Sequence, residues 1–183
     1  MREPGPENRS FFSRWKRWYL SLSLVKFAVA TSLVTFLIPA IVAIAILRII
    51  VLLSGSEVAA DQVSLPTASE AIYQFIALVV VSPLWEALVY HVLLLMLLAR
   101  LFHSELAIVI VSAVLFSLMH VFTGTLAQAV LVFLPGIVWA FASLHWFNRT
   151  GSWKSGYMAA CLSHAIHNLY YFVGGFIPAG WIL

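Results

Sequence analysis

The stretch Ser82 to His91, S-P-L-W-E-A-L-V-Y-H, lies inside an apolar run of the length that crosses a bilayer. Glu86 at its centre is the one carboxylate in the chain that falls neither in a loop nor at the end of an apolar segment. A charge held at membrane depth costs several kcal/mol, so such a residue ordinarily faces an internal cavity and has a function there. Pro83 lies three residues before it. With no N–H to donate to the carbonyl of Val79, Pro83 is expected to loosen the helix and leave a free acceptor and some room beside the acid.

Outward from this stretch, the composition is that of an integral membrane protein. Of 183 residues, 63% are hydrophobic and 9% charged, and the mean hydropathy is +1.01. In soluble domains roughly a quarter of residues are charged. Six of the ten Lys and Arg precede the first apolar segment, so the net charge of +3 is a topology signal, and no nucleic-acid-binding motif accompanies it. A single cysteine, Cys161, excludes an internal disulfide.

Five apolar segments follow the N-terminal region: Phe27 to Leu53, Ala71 to Phe102, Leu106 to Phe122, Leu126 to Phe147 and Gly156 to Val173. Each is near or above the roughly 20 residues a spanning helix needs. Ala43-Ile44-Ala45 mimics a signal cleavage site, but eight more mostly apolar residues follow it, so the first segment reads as a true span. Before it, Phe11, Phe12, Trp15, Trp18, Tyr19 and Leu22 recur at helical spacing with Lys16 and Arg17 between them. That pattern describes an amphipathic helix lying in the membrane interface. The expected organisation is a cytoplasmic tail and interfacial helix over residues 1–26, then one membrane-embedded all-α domain over 27–183.

The charges orient this arrangement. With the N-terminus cytoplasmic, the inner segments hold Arg2, Arg9, Arg14, Lys16, Arg17, Lys26, Arg100, Arg149 and Lys154, and the outer loops hold Glu57, Asp61 and Glu70. Only Arg48, near the outer end of the first span, departs from the pattern, and it reads as a side chain snorkelling to the headgroups. The expected location is a bacterial cytoplasmic membrane, with lipids and a membrane-associated peptide or protein as partners.

Polar groups inside the spans converge in depth. At 1.5 Å per residue, Glu86 lies roughly 21 Å from Arg100, His120 roughly 22 Å from Glu105, and Asn168 roughly 21 Å from Lys154. His164 and His91 come about a turn below. His164 and Asn168, four apart, share a helix face, as do Phe116 and His120.

These residues carry a resemblance. P-x-x-E at 83–86, F-S-L-M-H at 116–120 and H-A-I-H-N at 164–168 are similar, in that order, to the motifs of the CAAX-protease and bacteriocin-processing (CPBP, or Abi) intramembrane endopeptidases. The segment F-N-R-T-G-S-W before the last span also resembles that family's, and the likeness covers about half the chain. It implies hydrolysis of a peptide bond by a glutamate-activated water. Glu86 would be the general base, His120 would hold and activate the water, and His164 and Asn168 would polarise the scissile carbonyl. Pro83, Tyr90, His91 and Phe116 would support the site, and no cofactor is implied.

The first motif departs from the family's E-E-x-x-x-R, because Ala87 stands for the second glutamate and His91 for the arginine. The two positions are four apart, as in a helical ion pair, and losing both partners together strands no charge. That departure leaves open a non-catalytic binding or immunity protein. A further alternative uses His91, His120, His164 and His167 as ligands for haem or zinc. Other proteolytic chemistries lack their residues: Asp61 is the lone aspartate, H-E-x-x-H and G-x-S-x-G are absent, and Cys161 reads as a buried small side chain. His103 and His145 read as interfacial residues, and His167 as a packed group.

Overall fold

The computed structural model describes residues 18–54 and 66–174. The tail and most of the expected interfacial helix lie outside the described residues, as do the loop with Glu57 and Asp61 and the side chain of Arg48. Five long helices follow one another: α1 (Leu24–Ser54), α2 (Ala68–Leu101), α3 (Glu105–Thr123), α4 (Leu126–Thr150) and α5 (Trp153–Gly174). Each matches an apolar segment read from the sequence to within a few residues. Helices over Ala68–Leu101, Glu105–Phe122 and Gln128–Thr150 are long and apolar enough to cross a membrane. The protein is an all-α membrane protein. α5 has the length of a span but carries Lys154, His164, His167 and Asn168 along it.

Short polar caps delimit the helices. Thr67 and Glu70 form a reciprocal capping box at the start of α2, and Thr125 and Gln128 form another at the start of α4. Ser104 caps α3 by accepting from the Ala107 N–H at 3.3 Å. Such caps satisfy backbone donors that have no partner within the helix. α4 ends on Gly151 at φ +69°, a left-handed conformation in which glycine carries no Cβ penalty.

Packing between the helices relies on small residues and hydroxyls, as expected where lipid is as apolar as the side chains. Ala113, Ala140, Ala142, Ala159 and Ala160 are fully buried. A Cβ on Gly156 would meet the Ser143 carbonyl oxygen at 2.6 Å, so α5 approaches α4 as closely as a bare backbone allows. Across α1 and α5, the Ser32 hydroxyl donates to the Ser163 carbonyl at 2.7 Å. Arg149 donates to the carbonyls of Leu20 and Leu22 at 3.2 and 3.0 Å, fastening the segment before α1 to the end of α4.

The decisive irregularities are in α2, which widens into π-helical turns over Phe75–Val81 and Val89–Leu93. A π turn shifts the hydrogen-bond register to i→i−5 and releases carbonyls that a neighbour must satisfy. The Ser82 N–H donates to Ala77 O in that register. The acceptor facing Pro83 is therefore Leu78 O, five residues back, and not the Val79 carbonyl expected from α-helical spacing. Asn168 fills it, donating from Nδ2 at 2.8 Å. In the second π turn, Tyr90 O accepts from Ser112 at 2.9 Å and His91 O accepts from Ser143.

Candidate active site

The two wide turns bracket Ser82–Leu88, the straight α-helical piece that carries Glu86. Before Leu88, α2 packs mainly on α5; after it, α2 packs on α3 and α4 as well. Between the first half of α2 and the α3–α4 hairpin a cavity of about 660 Å³ remains, and Glu86, His120, His164 and Asn168 all line it. Four side chains from three helices thus meet around one space, as the depth count anticipated.

Glu86 is half-buried. Its Oε1 accepts from the Ser82 hydroxyl one turn earlier, and its Oε2 lies 3.8 Å from His164 Nε2. That separation is too long for a direct hydrogen bond, though short enough for a shared water beside the pair. His120 Nδ1 lies 3.0 Å from Phe116 O. A carbonyl only accepts, so Nδ1 carries the proton, and in the neutral ring Nε2 keeps a lone pair able to accept from water. His164 is buried and stacks on Trp139, with ring centroids 3.8 Å apart and planes 19° from parallel. Asn168 spends one N–H on Leu78 O, and its amide carries a second.

The supporting residues divide. Phe116 lines the cavity and contacts the rings of His120 and His164 at 4.7 and 6.3 Å. Pro83, Tyr90 and His91 are not among the lining residues. Pro83 is fully buried in the helix packing, and Tyr90 packs edge-on to Phe116 at 5.4 Å. His91 is fully buried between Phe116 and Trp139, and neither ring nitrogen has a hydrogen-bond partner among the described residues. Ala87 belongs to the same layer, with Ala160 and Cys161. The two departures from the family motif therefore lie in the wall behind the cavity, in a setting that holds no charge.

Three features were not anticipated from the sequence. Ser82 orients Glu86, and its i, i+4 spacing was there to be read. Trp139 forms the floor under His164, a contact that depends on how α4 crosses α5. Gln128 serves both as cap and as cavity wall. His167, read as a packed group, is buried with Nδ1 3.0 Å from the Thr35 hydroxyl, and it also lines the cavity. His103 is exposed in the turn before α3, and His145 stacks on Phe27 near the start of α1. Of the four histidines offered for haem or zinc, His120, His164 and His167 line the cavity and His91 does not. Among the described residues, no three of His, Cys, Asp or Glu are grouped to hold a metal ion.

The family model for type II CAAX prenyl endopeptidase Rce1-like proteins matches residues 68–170, more than half of the chain. The chain belongs to this family. The match runs from the start of α2 to within a few residues of the end of α5, so Glu86, His120, His164 and Asn168 all fall inside the Rce1-like region. The likeness read from the three motifs is borne out at the level of the family, which is one of CAAX-type membrane proteases. No curated protein and no solved structure matches the chain.

Proposed function

We propose that the protein is an intramembrane endopeptidase that hydrolyses a peptide bond of a membrane-associated peptide or protein with a water activated by Glu86. The observation that carries this reading is the meeting of Glu86, His120, His164 and Asn168 on one cavity within the region matched by the protease family. A water beside Glu86 Oε2 and His164 Nε2 gives its proton to the carboxylate, and the hydroxide attacks the scissile carbonyl carbon. Asn168 and His164 stabilise the oxyanion, and His120 holds the water through its Nε2 lone pair. The carboxyl group then returns the proton to the departing amide nitrogen as the C–N bond breaks, leaving an acid and an amine. Ser82 orients Glu86 throughout, and Phe116 and Trp139 shield the site from bulk water.

Ala87 and His91 favour a second reading, a binding or immunity protein that keeps the cavity without the chemistry. Cleavage assays on membrane-anchored peptides separate the two. In the protease reading, Glu86→Gln lowers cleavage by about 100- to 10,000-fold, the usual contribution of a general base, and His120→Ala lowers it strongly as well. Undiminished cleavage by Glu86→Gln removes the mechanism, and no cleavage of any peptide by the wild type assigns the binding role.

A further inference from the structure

We infer that His167 is a substrate-binding residue, whose Nε2 lone pair accepts a backbone N–H of the polypeptide held in the cavity. The inference rests on the proposed function for the presence of a peptide, and on the hydrogen bonds around the ring for what His167 does to it. The H-x-x-x-N motif leaves this position open, between His164 and Asn168.

The ring is held from three sides. It lies edge-on to Trp139 at 5.2 Å and tilted against Tyr171 at 4.9 Å, and its Nδ1 is 3.0 Å from the Thr35 hydroxyl of α1. Thr35 is fully buried, and its hydroxyl proton goes to the Ser32 carbonyl at 3.1 Å. The hydroxyl oxygen therefore accepts from His167, so Nδ1 carries the proton and the neutral ring keeps a lone pair on Nε2. That atom is not sealed in the packing. Both nitrogens of His91 and Nδ1 of His164 are buried with no partner among the described residues, whereas Nε2 of His167 is not one of these orphans. It has no hydrogen bond to a described residue, and its ring lines the cavity.

A fixed acceptor is what a bound polypeptide needs. Each peptide residue brings an N–H as well as a carbonyl into the cavity, and an N–H taken out of water without an acceptor weakens binding. In the proposed reaction Glu86 and His120 serve the water, and Gln128 Oε1 already accepts from the Thr125 N–H at 2.9 Å. His167 stands one residue before Asn168, roughly 1.5 Å along α5, so acceptor and amide donor lie at one level. In an extended chain the N–H and carbonyl of one residue point to the same side, so a single peptide residue meets both.

The test measures binding of fluorescent palmitoylated peptides to the full chain in detergent on a Glu86→Gln background, with and without His167→Phe. That substitution keeps a flat ring beside Trp139 and Tyr171 but removes the lone pair. In each peptide one backbone amide at a time is replaced by an ester, which deletes one N–H. Expected is one position at which the ester weakens binding about three- to tenfold when His167 is present and not at all in His167→Phe. Esters elsewhere should affect both proteins alike, which a merely structural role for His167 would produce at every position. Thr35→Val leaves the ring but takes away the acceptor that keeps the proton on Nδ1; it should abolish the same sensitivity, and it serves as the test where His167→Phe does not fold. Equal ester losses at every position in all the proteins, or no binding by any peptide of the series, overturns the inference. Binding needs no chemistry, so the outcome is separate from the cleavage assays on the wild type and Glu86→Gln.

Discussion

The two halves of α2 share one helix and one apolar composition, yet they do opposite things. From Ala68 to Leu88 the helix leans on α5 and leaves a cavity at its side; from Val89 to Leu101 it is sealed against α3, α4 and the aliphatic layer around Leu95 and Leu98. What separates them is backbone register. Each half contains a π turn, but the carbonyl that Pro83 leaves in the first is met by Asn168, a residue of the cavity, while those of the second are met by Ser112 and Ser143 in the packed interior. The same local irregularity therefore builds a site where a ligand-facing amide answers it, and a rivet where serine hydroxyls do.

The contrast can be broken most severely at the boundary. Ala87→Glu places a carboxylate in the layer of Phe116 and Trp139, and is expected to destabilise the protein by about 3–5 kcal/mol, the effect of an uncompensated buried charge. Adding His91→Arg should recover part of the loss, and a double-mutant cycle by thermal or chemical unfolding in detergent measures the coupling. In the packed half, Leu95→Ala empties a fully buried position and should cost about 2–5 kcal/mol by the same measurement. Gly156→Ala pushes a methyl group against the Ser143 carbonyl and should cost about 1–3 kcal/mol. Ser112→Ala, which strips one hydroxyl from the second π turn, should cost about 0.6 kcal/mol, the mean for a hydrogen bond between membrane helices.

Much of this arrangement was legible in the sequence because helical spacing and rise are fixed. Counting 1.5 Å per residue from the helix ends at Arg100, Glu105 and Lys154 brought Glu86, His120 and Asn168 to one level, and the i, i+4 pairs put their partners on the same faces. The segment limits were equally readable, since apolar runs are bounded by Thr67, Ser104 and Thr125, which cap the helices that follow. Register was not legible. Nothing in P-L-W-E announces π turns on either side, so the acceptor released by Pro83 was misplaced by one residue, and His91 was expected to support the site from within when it is turned into the wall behind it. Contacts set by helix crossing were hidden for the same reason: Trp139 is one of seven tryptophans, and only the approach of α5 to α4 gives it His164 to stack on.

The sharpest separation of the two halves pairs cleavage with stability for Glu86→Gln. A residue of the open half that works on water should lose cleavage by about 100- to 10,000-fold while the unfolding temperature in detergent stays at or above that of the wild type, the reverse of what Leu95→Ala does. Cleavage at the wild-type rate by a folded Glu86→Gln protein would contradict the role given to this carboxylate.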